Sequence, residues 1–123
     1  MQEHLLFLTG ISFLMVHEMD AIRCKEWRIY PGLSLLSNKA GQLIFVFAHI
    51  PLFFLVLYQI AYNANNQAFI MGVNIFLMVH VVLHLLYIKH KNNEFKDWIS
   101  WTLIIVPGFF GLADLLSFFI STN

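Results

Sequence analysis

The chain has 123 residues, 59% of them hydrophobic and only 11% charged, with 13 Phe, no formal net charge and a mean hydropathy of +0.72. A water-soluble domain of this length carries far more charge, so the composition excludes that class and points to an integral membrane protein. Nucleic acid is not an expected partner.

Four apolar stretches are each long enough to cross a hydrocarbon core of roughly 30 Å. The first runs from Leu5 to Ile22. No Lys or Arg precedes it, and Arg23, Lys25 and Arg28 follow it, so it reads as a retained membrane anchor and not a secretory signal. The lone cysteine, Cys24, excludes an internal disulfide and reads as an inert packing group before a soft metal ligand. Trp27 and Tyr30 are aromatics expected at headgroup level, and Pro31-Gly32 breaks any helix, so residues 25–38 are expected along the membrane surface. The second stretch, Leu43 to Tyr62, contains Pro51 two residues after His49. An uncharged connection, Asn63 to Gln67, leads to the third stretch, Phe69 to Ile88. A polar segment, Lys89 to Asp97, precedes the fourth, Trp98 to Ile120, where Pro107-Gly108 and Gly111 should kink the helix or admit a close neighbour.

All seven Lys and Arg fall after the first and third stretches, which places both of those loops in the cytoplasm and both termini outside. The expected fold is therefore all-α: a single-domain, four-helix transmembrane bundle in the cell (inner) membrane.

Three of these stretches carry ionisable residues that hydrocarbon disfavours, and such residues usually mark a functional site. Counting at 1.5 Å per residue from the cytoplasmic boundaries, Asp20 lies about 4.5 Å deep, His84 about 7.5 Å, His17 about 9 Å, His49 about 10 Å and His80 about 13.5 Å. His17 and Asp20 are three apart and His80 and His84 four apart, so each pair shares a helix face. Helical bundles build metal sites from pairs of this kind. The predicted ligand set is His17, Asp20, His49, His80 and His84. The donors suit a divalent transition metal such as Zn, Fe or Mn, among which the sequence does not choose.

Glu18 and Glu26 are the candidate catalytic carboxylates, acting as proton carriers. Each also has a plainer reading. Glu18 points roughly a hundred degrees from the His17 face and suits an interhelical ion pair equally well. Glu26 lies between Lys25 and Arg28, where a solvated salt bridge is the more common outcome. The histidines can likewise serve only to tie helices together through Asn74 or a backbone carbonyl. His4 and His90 sit at the membrane edges, and Asp114, about 24 Å from the cytoplasmic face, is left outside the site. The segment from His17 to Asp20 is no HExxH zinc motif, because the fifth position is Ala21.

Taken together, the run from His17 to Arg23, the triplet Glu26-Trp27-Arg28, the run from Ala48 to Phe53, and His80 with His84 resemble a group of small uncharacterised bacterial four-span membrane proteins. They resemble more loosely the proteins named for an HXXEE motif. Where that motif has two Glu, this chain has Asp20 and Ala21, so a second carboxylate would have to come from Glu18 or Glu26. The resemblance implies a four-span fold and carries no activity. Membrane fatty-acid hydroxylases and desaturases are similar in an HxxxH box, matched by His80 and His84, but their further His-rich boxes are missing. Small multidrug exporters are similar in size and in an acidic first helix, at Glu18, without the histidine set.

The leading functional expectation is an intramembrane metal-dependent enzyme, a hydrolase or oxidoreductase, whose ion activates water or polarises a substrate oxygen. A site in the cytoplasmic leaflet favours an amphiphilic or lipid substrate, although the nearby Arg and Lys are already explained by topology. The alternatives are a b-type haem protein, with two histidines as axial ligands, and a proton-coupled transporter or metal permease. The implied partners are membrane lipid and, because so short a chain encloses little volume, further copies in a homo-oligomer.

Overall fold

The computed structural model describes residues 4–121. It comprises α1 (Leu5–Arg23), α2 (Asn38–Tyr62), α3 (Gln67–Leu86) and α4 (Trp98–Ser121), with two single-turn 3-10 segments, Glu26–Arg28 and Leu33–Leu35, between α1 and α2. All four helices are long and apolar enough to cross a membrane. The predicted all-helical bundle is thus observed; the bounds at Leu5, Tyr62 and Trp98 match the apolar runs, and polar caps mark the starts of α2, α3 and α4. Ser37 Oγ accepts from the Ala40 N–H at 3.3 Å and starts α2 five residues before its apolar run. Asn66 Oδ1 accepts from the Phe69 N–H at 3.2 Å, and Asp97 Oδ1 from the Ser100 N–H at 2.8 Å, doing the same for α3 and α4.

α1 and α3 both pack along α4. Small residues make the approach close: a Cβ added at Gly111 would lie 2.9 Å from the Asn74 carbonyl oxygen, and one at Gly108 would lie 2.5 Å from Val81 Cγ2. A Cβ at Gly10 on α1 would meet Leu77 Cδ1 at 3.0 Å. Helices in lipid associate chiefly through such van der Waals fit, since burying apolar surface gains nothing there. Both Pro51 and Pro107 lie within uninterrupted helices.

α2 stands apart. Only 6% of its most apolar window is buried, against 28–33% for the other three, and its backbone docks mainly against the two 3-10 turns. The dock is specific. Trp27, expected at the membrane surface, is instead 2% exposed; its ring fills the space over Gly41, and its Nε1–H donates to Asn38 Oδ1 at 2.9 Å. What brings Trp27 inward is Lys25, whose left-handed backbone (φ 51°) reverses the chain as it leaves α1. That reversal carries Glu26 under the bundle as well, into a core of Ala21, Cys24, Trp27, Ile29, Phe45, Phe95 and Ile104. A second apolar cluster, Phe7, Ile11 and Ile70, closes the opposite end.

Candidate metal centre

Four side chains converge where α1, α3 and the first 3-10 turn meet: His17, Glu26, His80 and His84, all buried, with one donor atom from each lying within 4.8 Å of all the others. His84 Nε2 is 3.2 Å from His80 Nε2 and 3.3 Å from Glu26 Oε1, and His17 Nε2 is 3.7 Å from Glu26 Oε2. A tetrahedral ion with ligand bonds of about 2.0–2.1 Å sets its ligand atoms roughly 3.3–3.4 Å apart. These three spacings bracket that value, the two to Glu26 running to different carboxylate oxygens, and the four-donor set as a whole lies within 4.8 Å.

The hydrogen-bond inventory points the same way. Among the described residues, neither ring nitrogen of His17 has a hydrogen-bond partner, nor does His80 Nδ1, although both residues are almost wholly buried. Buried polar atoms are normally satisfied, and orphans call for an explanation. Between two imidazole nitrogens only one can carry the shared proton, so three rings aimed at one point cannot satisfy one another. A cation among them would take one nitrogen from each ring, and so would satisfy one of the two orphaned nitrogens of His17. Phe95 covers the cluster, its ring 4.7 Å from that of His84 and 5.6 Å from that of His17.

Burial is the main cause raising the Glu26 carboxyl above the usual carboxylate range, with the hydrogen bond to His84 pulling the other way. Burial also pushes Tyr30 up to about 12, helped by the charges of Glu26 and Glu18. The Tyr30 hydroxyl therefore keeps its proton at neutral pH. It lies on the wall of a cavity of about 80 Å³ that adjoins Glu26, His80 and His84 and is otherwise lined by Ile29, Pro31, Leu83 and Tyr87.

Of the five predicted ligands, the structure brings His17, His80 and His84 together and leaves Asp20 and His49 outside. Asp20 accepts from Arg23 Nε at 2.7 Å and from Ser100 Oγ at 2.5 Å, while Arg23 reaches on to Asp97 at 2.9 Å. Asp20 thus ties the end of α1 to the start of α4. A three-residue step leaves roughly 60° between side chains, enough to turn Asp20 toward α4 while His17 faces α3. His49 Nε2 lies 2.8 Å from Glu18 Oε2, and its Nδ1 is 2.6 Å from the Phe45 carbonyl oxygen. The backbone of α2 comes close to the rest of the chain mainly at its first turns, and His49 stops at Glu18 of α1 and does not reach the cluster. Glu18 thus adopts the interhelical pairing.

Glu26, which the sequence offered as a proton carrier or a solvated ion pair, is 4% exposed and stands among the donors. Asp114 bonds to Asn74 Nδ2 at 2.6 Å, well away from the cluster. α4 contributes none of the four donors.

Comparison with curated proteins and with solved structures found no match. The model of a family of unknown function, DUF6713, matches residues 3–121. With nearly its whole length matched, the chain belongs to the DUF6713 family.

Proposed function

We propose that this protein holds one divalent transition-metal ion on His17, Glu26, His80 and His84, and that the ion is the working centre of an intramembrane enzyme. The observation that supports this reading is the convergence of three imidazoles and a carboxylate at near-tetrahedral spacing, with the nitrogens of His17 unsatisfied. Bound there, a divalent ion supplies Lewis acidity at neutral pH.

The identity of the ion decides how much chemistry the site can do. Zn is satisfied by four protein donors, and closed sites of that kind are structural. Fe or Mn takes up to six ligands, leaving positions that would open onto the cavity beside Tyr30. A cavity of about 80 Å³ admits only a small polar group or the end of a chain, and its Ile29, Pro31, Leu83 and Tyr87 walls suit an amphiphile entering from the bilayer. The positive charges at this end of the bundle, Arg23, Lys25, Arg28, Lys89, Lys91 and Lys96, favour its placement in the cytoplasmic leaflet of the cell membrane.

The test is elemental analysis of the full chain purified without chelators, beside His17→Ala, His80→Ala and His49→Ala. One ion per chain is expected in wild type and in His49→Ala, with none in the other two. Metal at the level of the buffer blank in wild type, or metal lost equally from all three variants, overturns the assignment.

A further inference from the structure

A second polar cavity, of about 370 Å³, lies in the other half of the bundle between α3 and α4. Its walls include Gln67, Asn74, Asp114 and Ser117 together with the apolar Ile70 and Met71, and His4 stands at its edge. Asn74 and His80 are six residues apart on α3, about 9 Å along the axis. Between them Leu77, fully buried, packs against the glycines of α1 and α4 and seals one site from the other. Nothing in this second cavity enters the proposed metal chemistry.

Asp114 distinguishes it. Every other carboxylate among the described residues has a cationic or imidazole partner: Glu18 with His49, Asp20 and Asp97 with Arg23, Glu26 with His17 and His84, Glu94 with Lys25 and Arg28. Among the described residues, no such group lies within ion-pair reach of Asp114. Its carboxylate is held in place by Asn74, which is 1% exposed and donates from Nδ2 to Asp114 Oδ2 at 2.6 Å. An intramembrane carboxylate is costly and is ordinarily paired or set on a ligand pathway. This one is oriented by a buried amide and borders an open cavity.

We propose that the cavity binds a primary ammonium group, with Asp114 as its counter-ion. Its volume is far larger than a bare inorganic ion needs and falls in the range of small-molecule sites, which combine apolar walls with a few placed polar groups. An alkylammonium matches that lining: N–H donors for the Asp114 carboxylate and the Ser117 hydroxyl, and a carbon chain for Ile70 and Met71. A soluble amine and the ethanolamine headgroup of a phospholipid share this chemistry. A quaternary ammonium has no N–H to donate and should be rejected.

Thermal unfolding of the full chain in aminolipid-free detergent, titrated with n-butylammonium, tetramethylammonium or sodium chloride, tests the site. A parallel series in nanodiscs compares phosphatidylethanolamine with phosphatidylcholine. Saturable stabilisation by n-butylammonium assigns a soluble amine, and stabilisation by phosphatidylethanolamine alone assigns the headgroup; both support the proposal. Asp114→Asn, which keeps an acceptor for Asn74, should weaken whichever effect is seen by at least about tenfold in half-saturation. Equal stabilisation by tetramethylammonium or sodium overturns the proposal on wild-type protein alone. So does the lack of any stabilisation in both series, or an Asp114→Asn variant that binds as wild type does.

Discussion

Replacing Glu26 by Gln separates a metal ligand from a structural hydrogen-bond partner, because the two roles give opposite signs. Glu26 supplies two of the three short donor spacings, 3.3 Å to His84 and 3.7 Å to His17, so Gln retains the shape and loses the anionic ligand. Loss of a mere outer-shell partner costs a metal site about 10- to 100-fold in affinity, so loss of a direct charged ligand should cost at least about a hundredfold. At a free ion concentration a hundred times the wild-type Kd, linkage stabilises the folded state by about 2.7 kcal/mol; after a hundredfold loss of affinity the same concentration yields only about 0.4 kcal/mol. Without metal, Gln should not destabilise the fold, because burial already opposes charge on this carboxyl. Thermal unfolding in detergent, with and without Zn, Mn or Fe(II) and combined with elemental analysis, reads both quantities. A Glu26→Gln protein that is less stable without metal yet binds the ion with wild-type affinity would refute the reasoning.

Three further outcomes follow from neighbouring contacts. His49→Ala should leave metal stoichiometry unchanged while destabilising the protein by up to about 3 kcal/mol, the scale for an unpaired charge in a transmembrane helix, measured by unfolding in nanodiscs; Glu18→Gln in the same background should restore most of the loss. Gly108→Ala should cost about 1–3 kcal/mol through overpacking against Val81, with Gly72→Ala, where a Cβ meets nothing within 4 Å, as the matched control. The backbone N–H of Ser100, then the side chains of Arg23 and Ser100, hold the Asp97 carboxyl below its ordinary value of 3.8. The stability this contributes is fully present above pH 3.8 and is lost as pH falls through the lowered native value. An acid titration of helicity should therefore show a limb in that window which Asp97→Asn lacks.

The bundle and three of the four clustered donors, His17, His80 and His84, were legible from residue order, for reasons that are local. Long apolar runs announce spanning helices whatever their neighbours, and a four-residue spacing puts His80 and His84 on one face of any helix. Glu26 was obscured because its neighbours Lys25 and Arg28 read as solvated surface. Only the left-handed turn at Lys25, with Trp27 seated on Gly41, carries it inward, and a positive φ at a lysine leaves no compositional trace. Trp27 has the composition of an interfacial aromatic, but in the fold it is a buried wedge over Gly41. His49 shows a different shortfall. Depth along each helix follows from counting residues, but azimuth depends on how far α2 leans toward its neighbours. That is set by tertiary docking.

The thin packing of α2 has a mechanical consequence. Trp27 on Gly41 holds its first turns, Val56 and Ile60 rest on the Phe7, Ile11 and Ile70 cluster at its far end, and the Glu18–His49 pair is a latch between them, yet α2 is the least buried helix of the four. Its backbone amides should exchange with solvent deuterium as a separate, weaker cooperative unit than those of α1, α3 and α4. Opening the latch would bare the α1 face bearing Glu18 while leaving the His17, Glu26, His80 and His84 frame intact.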